Sequence, residues 1–304
     1  MTTMHFLVAG DARVAWGIAG TVGSILRVVP PESKATVTIV DGGLPANLRS
    51  RIESAFKGRE ALFRLRFVPF VWPKGNHAPP LEGSRLVYAR FFAESCVDDA
   101  FCLYLDSDVI LRENPAPLFT NAVAYPEVPL WAARNYPHDS FCHQIGRQAD
   151  DLTANVPAST PYFNSGVLLL NVPLWRTQQL GARALALADQ YNFIAHDQDA
   201  LNVLLRDQWR ELPERWNFQL FQRSEFPADT AALHYSGRNK PWHFGYPVAA
   251  RQPFEAALSG LGWKHWRPRP NLFQWLHNSR LQPLLANWHS HLRRWTGRGP
   301  IKRR

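Results

Sequence analysis

The sequence predicts an α/β fold in which crossover helices flank a central sheet, and three observations carry that prediction. Short β-rich runs alternate with helical stretches through the first half of the chain. The chain has 304 residues, 46% hydrophobic and 19% charged, which is enough to bury a full core as one large domain with appendages. Its apolar runs are also short, and none approaches the roughly 18 apolar residues that a membrane span needs.

The elements follow in order. "HFLVA" from His5 is a strand, and Ala15 to Val28 a helix. "ATVTIVDGG" is a second strand ending in a turn, and "PANLRSRIESAF" a helix with Pro45 at its start and Leu48, Ile52 and Phe56 at four-residue spacing. "LFRLRFVPF" alternates as a strand does, while "PKGNHAPP" has the proline and glycine of a loop. "SRLVYARFFAES" reads as a helix that delivers the chain to the strand at Phe101. Beyond it come the buried run "SGVLLLNV", a helix opened by Pro173 and running towards Tyr191, and a helix begun near Asp197. There is no internal repeat.

Charge is distributed unevenly. The net charge is +9, yet residues 1–255 hold 24 basic and 25 acidic groups, a net of −1. After Glu255 there is no acid, but there are ten basic residues and five of the twelve tryptophans: Trp263, Trp266, Trp275, Trp288 and Trp295. From Leu281, the positions Leu284, Leu285, Trp288, Leu292 and Trp295 recur every three or four residues with His291, Arg293 and Arg294 between them. This pattern predicts a basic amphipathic helix suited to an anionic membrane surface, and residues 264–304 are the expected attachment. Domains are therefore expected at 1–255, the main body, and 256–304, a basic Trp-rich tail. The N-terminus lacks a basic region ahead of its apolar stretch, so no signal peptide is expected. Cys96, Cys102 and Cys142 match no metal spacing and read as reduced, mostly buried thiols of a cytoplasmic protein.

Four segments carry chemistry. "FCLYLDSDVIL" ends a buried strand on Asp106 and Asp108. In an open α/β sheet, ligands bind beyond the carboxyl ends of the strands, and two acids one residue apart can share a divalent cation such as Mg²⁺ or Mn²⁺. An isolated pair of this kind is commonly a solvated turn. The second segment places Asn164 and Ser165 ahead of the buried strand. The third, "HDQDALNVLL", puts Asp197 and Asp199 around Gln198 at a helix start, where acids suit the helix dipole whether or not they act. In the fourth, "LHYSGRNKPWH", Lys240 and backbone amides suit phosphate oxygens, and His234 suits the same metal.

Taken in this order, "YLDSDVIL", "YFNSGVLLLN", "HDQDALN" and "HYSGRNKPWH" resemble glycosyltransferase family 8, over residues from about His5 to about Gly245. The resemblance implies a GT-A fold, a Rossmann-like mixed sheet flanked by helices, and a retaining hexosyltransferase. It implies Mn²⁺ (or Mg²⁺) as cofactor, held by Asp106, Asp108 and His234. Ala9, Asp11, Arg90, Ser107, Asn164, Gly237 and Lys240 become donor-binding residues, Asp106 among them through its metal, and Asp197 and Gln198 become the catalytic pair. A UDP-hexose donor, galactose or glucose, and a lipid-linked glycan acceptor are implied, with the enzyme peripheral at the inner face of the membrane. Two segments depart from the family. Gly10 and Ala12 replace residues that help to recognise the base, and Asn135 stands where many members have Asp.

Two other classes compete. A metal-dependent phosphodiesterase or nuclease also pairs acids, but normally around two metals, and "FNSG" and "KPW" have no task there. A nucleic-acid-binding protein fits the sequence pI near 9.8, but the body is net −1, so no nucleic-acid partner is expected.

Overall fold

The computed structural model describes residues 3–271, apart from 60, 138, 139, 147, 192, 224 and 265. β1 (Met4–Gly10) is buried along its whole length. α1 (Ala15–Val28), β2 (Ala35–Asp41), α2 (Ala46–Phe56) and β3 (Phe63–Pro69) follow, each within a residue or two of its expected span. α3 (Ala93–Cys96), β4 (Phe101–Leu105), β5 (Val109–Leu111), α4 (Ala116–Val123), β6 (Leu130–Arg134) and α5 (Phe141–Ile145) lead to the centre of the molecule. β7 (Phe163–Asn171) is buried in all nine residues. α6 (Val172–Thr177), α7 (Leu180–Gln190), α8 (His196–Leu205), β8 (Trp209–Glu211), β9 (Phe218–Gln219), β10 (Ala232–His234) and α9 (Val248–Ser259) complete the described chain.

The main sheet has the order β3-β2-β1-β4-β7-β6-β8. β1 to β4 run parallel, β7 is antiparallel to both β4 and β6, and β8 is parallel to β6. Helices cover both faces, which is why β1 and β7 are continuous apolar runs rather than alternating ones. One core layer gathers Phe6, Val8, Ile18, Val22 and Ile25, and the other Leu7, Tyr88, Tyr104, Leu168 and Trp175. Each large apolar side chain buried there contributes about 1.5–3 kcal/mol. A second sheet, β5-β10-β9, pairs His234 with Val109 and so sets the histidine beside the turn that holds the two acids.

Three expectations change. The segment expected as a helix before Phe101 is a 3₁₀ helix from Leu86 to Phe92 followed by the short α3. Tyr88, Ala89, Arg90 and Phe91 are consecutively buried, so this segment is enclosed on all sides rather than amphipathic. The helix expected from Pro173 towards Tyr191 is two helices, α6 and α7, broken at Gln179, whose φ of +52° is left-handed. The boundary expected after residue 255 falls inside α9, which packs along α1.

The body also takes in the start of the expected tail. Trp263 and Trp266 both lie 5.2 Å from Trp16, centroid to centroid, and the Arg51 guanidinium lies 4.6 Å above Trp263. Trp275, Trp288, Trp295 and the helix expected from Leu281 lie outside the described residues. No helix among the described residues is long and apolar enough to cross a membrane. All three cysteines are free; Cys96 and Cys102 are buried, and burial pushes their thiols up.

Candidate active site

The acids sit in a tight turn. β4 ends at Leu105, the Asp106 amide donates to the Gly166 carbonyl at 2.8 Å, and the Val109 amide donates to the Asp106 carbonyl at 3.1 Å. The turn faces both acids towards β10. Asp106 Oδ2 lies 3.9 Å and Asp108 Oδ1 3.4 Å from His234 Nε2, and one ligand atom from each residue can be chosen within 4.8 Å of the others.

Each of the three is oriented by a neighbour. Asp106 Oδ1 accepts from Arg90 Nη2 at 2.7 Å and from the Tyr104 hydroxyl at 2.9 Å. Asp108 Oδ2 accepts from Lys240 Nζ. His234 Nδ1 donates to Asn217 Oδ1 at 2.9 Å, which leaves the Nε2 lone pair facing the free carboxylate oxygens. Two carboxylate oxygens and one imidazole nitrogen, each backed by a hydrogen-bond partner, form a donor set that fits a divalent ion of the Mn²⁺ type. Burial pushes the Asp108 carboxyl up, but the charge of Lys240, with the hydrogen bond from its ammonium, outweighs it and holds the group well below the ordinary carboxylate range. Gly166 makes the cradle possible: a Cβ there would lie 2.3 Å from His234 Cε1 and 3.0 Å from Asp106 Oδ2.

These residues form one wall of a cavity of about 610 Å³. Of the residues named from the sequence for donor binding, Ala9, Asp11, Arg90, Ser107, Gly237 and Lys240 line it. Gly237 takes a φ of +89°, the left-handed turn that carries the chain from β10 round to Lys240. Asp11 is less free than expected. It caps a 3₁₀ turn and accepts from the Arg13 amide at 2.9 Å, from Arg13 Nη2 at 2.5 Å and from Ser84 Oγ at 3.4 Å. Burial raises its carboxyl, but the hydrogen bonds and charge of Arg13 prevail and lower it. Arg90 is a buried strut, 3% exposed, rather than a free arm. It joins Asp106, the Ser165 carbonyl and Asp197 (Nη1 to Oδ2, 3.0 Å), with its guanidinium 4.4 Å above the Tyr104 ring.

Asn164, Asp197 and Gln198 lie in an adjoining network, not on the cavity lining. Asn164 and Ser165 belong to β7 itself rather than preceding it. Gln198 Oε1 accepts from Asn164 Nδ2 and from the Ser165 amide, both at 3.0 Å. Asp197 Oδ2 accepts from Ser165 Oγ at 2.9 Å, and burial, against the pull of Arg90, pushes its carboxyl up to about 7. Through Arg90 the network is tied directly to Asp106.

Sequence reasoning missed Tyr104, Asn217, Arg13 and Arg238. Tyr104 shares a strand face with Asp106 two residues on, a period-2 signal that was available. Arg13 stands two residues from Asp11 in the same loop. Arg238 lines the cavity and is exposed. Asn217 has no local signal, since only the β9–β10 pairing brings it to His234.

Comparison with known proteins identifies the fold and the family. General stress protein A of Bacillus subtilis is 25% identical over 289 residues, covering 86% of this chain and 94% of that protein. Lipopolysaccharide 1,3-galactosyltransferase of Salmonella typhimurium is 34% identical over 195 residues, covering 60% of this chain and 55% of that protein, so the match spans about half of that relative. The crystal structure of galactosyltransferase LgtC with donor and acceptor sugar analogs superposes with a TM-score of 0.66 at 22% identity, covering 91% of this chain and all of that one, and establishes the GT-A fold. The family model described as "Glycosyl transferase family 8" matches residues 74–245. That stretch is more than half of the chain and holds Arg90, the acid turn, the Asn164 and Gln198 network and the His234–Lys240 loop, so the protein belongs to glycosyltransferase family 8 and is a glycosyltransferase.

Proposed function

We propose that this glycosyltransferase is a metal-dependent, retaining hexosyltransferase that moves galactose or glucose from a UDP-sugar to a sugar of a lipid-linked glycan such as a lipopolysaccharide core. The observation that carries the reading is the Asp106, Asp108 and His234 cluster on the wall of a cavity that also contains Lys240 and Gly237. The names of the galactosyltransferase relative and of the LgtC complex support the choice of donor and acceptor class. Asp106, Asp108 and His234 would hold Mn²⁺ (or Mg²⁺), whose positive charge opposes that of a diphosphate leaving group.

The chain's own residues divide the rest of the work. Lys240 Nζ, already aimed at Asp108, and the backbone around Gly237 hold the phosphate oxygens as the sugar–phosphate bond breaks. Asn164 and Asp197 orient the transferred sugar's hydroxyls, and Asp11 with Arg13 meets the base. Gln198 directs the negative end of its amide at positive charge on the sugar ring. An amide is a poor nucleophile, and Asp197 is held by Arg90 and Ser165, so neither suits a covalent intermediate. The acceptor therefore attacks from the face the leaving group departs from, and the departing phosphate oxygen takes its proton.

The product of an α-linked donor is accordingly expected to be α-linked, and a β-linked initial product by NMR would exclude this route. Gln198→Ala is expected to slow transfer without abolishing it, whereas Asp197→Ala costs about 100-fold through misorientation. A glycosylated peptide containing either residue, trapped during turnover, would overturn front-face attack.

The reading places the enzyme in the cytoplasm, at the inner face of the membrane. Deleting residues 270–304 leaves Trp263 and Trp266 on the body and removes the other three tail tryptophans. The truncated protein is expected to bind anionic vesicles more weakly while keeping donor hydrolysis, since each Lys or Arg near such a surface contributes about 1 kcal/mol. Unchanged vesicle binding would remove the tail from this role.

A further inference from the structure

Behind Gln198 lies a buried polar chain that touches nothing in the cavity. Gln198 Nε2 donates to the Tyr162 hydroxyl at 3.2 Å, and that hydroxyl donates its own proton to Asp199 Oδ1. The other oxygen, Asp199 Oδ2, accepts from Gln148 Nε2 at 3.0 Å and from the Ala195 amide at 2.8 Å. Tyr162 and Asp199 are both 0% exposed, and neither they nor Gln148 line the cavity.

Burying a carboxyl and a phenol costs stability unless both are fully paired, and apolar residues of similar size would fill the space at less cost. The arrangement has a directional consequence. A phenol oxygen accepts well from Gln198 only when its own proton is committed elsewhere, and Asp199 commits it. At the other end of the amide, the Ser165 backbone N–H can only donate, so Oε1 must face it. The Gln198 amide is thus gripped at both ends, and a flip that exchanged O for N would break both contacts.

We infer that Asp199 and Tyr162 are positioning residues that fix the orientation of the Gln198 amide, so that its oxygen, not its nitrogen, is presented along the β7 side of the site. The inference rests on the proposed role of Gln198 in transfer, but the geometry it concerns can be read without turnover. Tyr162→Phe keeps the ring and removes the acceptor. Asp199→Asn can keep an acceptor for the Tyr162 proton only by turning its own Nδ2 towards the Gln148 Nε2 and Ala195 donors, so it disturbs the chain one step further back.

The test is made on the full chain with two readouts. In ¹⁵N-resolved NMR, the side-chain amide signals of Gln198 are identified by their loss in Gln198→Glu. They are expected to shift and to exchange faster with solvent in Tyr162→Phe, and to shift the same way by less in Asp199→Asn. In metal-supplemented donor hydrolysis, Tyr162→Phe is expected to lose about 10- to 100-fold in kcat with little change in KM, and Asp199→Asn to lose kcat in the same direction but by less. A purely structural role would lower the melting temperature of both variants while leaving the Gln198 signals and kcat in place, and that result would overturn the inference. If the wild type hydrolyses no nucleotide sugar, the proposed function fails, while the NMR comparison still decides whether Tyr162 and Asp199 hold the amide.

Discussion

Asp106→Ala and Asp108→Ala are each expected to cost at least ~100-fold in transfer rate, and chelation is expected to do the same to the wild-type protein until Mn²⁺ is restored. The magnitude follows from what each acid does twice. Asp106 offers Oδ2 towards His234 while its Oδ1 anchors Arg90 and Tyr104, so its loss also leaves a buried guanidinium short of one of its two carboxylates. Asp108 offers Oδ1 towards His234 while its Oδ2 holds Lys240, so its loss also frees the ammonium that is to meet phosphate. Calorimetry with Mn²⁺ separates the two effects, because both variants should fail to bind the ion whether or not the donor is present. Full activity of either variant, or of the wild type in metal-free buffer, would contradict the assignment.

The second large effect comes from a residue that carries no functional group. Gly166→Ala would place a methyl 2.3 Å from His234 Cε1, 2.7 Å from its Nδ1 and 3.0 Å from Asp106 Oδ2. No rotation of an alanine relieves this, so the imidazole must move. In moving it loses Asn217, the partner that fixes its tautomer. The expected result is a folded protein, destabilised by about 1–3 kcal/mol through overpacking. Its Mn²⁺ affinity should fall about 10- to 100-fold, the usual cost of disturbing the support of a metal ligand. Circular dichroism reports the fold and calorimetry the affinity. Unchanged Mn²⁺ binding in Gly166→Ala would show that His234 is not a ligand.

What could be read in the sequence, and what could not, divides along physical lines. β1, β2 and β7 were legible because strands buried on both faces are short, dense apolar runs, β3 because it alternates as a half-buried edge strand does, and α2 because its apolar residues recur with the helical period. β5, β9 and β10 are two or three residues long, and nothing local marks them; they exist because tertiary pairing brings them together. The 3₁₀ segment around Arg90 contains apolar residues at helical spacing too, but its burial on all sides overrides that period. In the site, Asp106, Asp108 and His234 were legible as chemistry-bearing residues in motifs. Their supports were less so: Asn217 and Tyr162 carry no motif of their own in this role, and Arg13 acts by occupying an acid that the family pattern would leave open.

The central claim, a metal-dependent transfer from a UDP-hexose, is tested most directly by a screen of nucleotide sugars for donor hydrolysis by the purified full-length protein with and without Mn²⁺. Hydrolysis needs no acceptor, so an unknown glycan does not obstruct it. The expected result is slow release of UDP from UDP-galactose or UDP-glucose in the presence of Mn²⁺, abolished by chelation and by Asp108→Ala. Hydrolysis that proceeds equally in metal-free buffer, or a protein that binds Mn²⁺ yet cleaves no UDP-hexose, would contradict it.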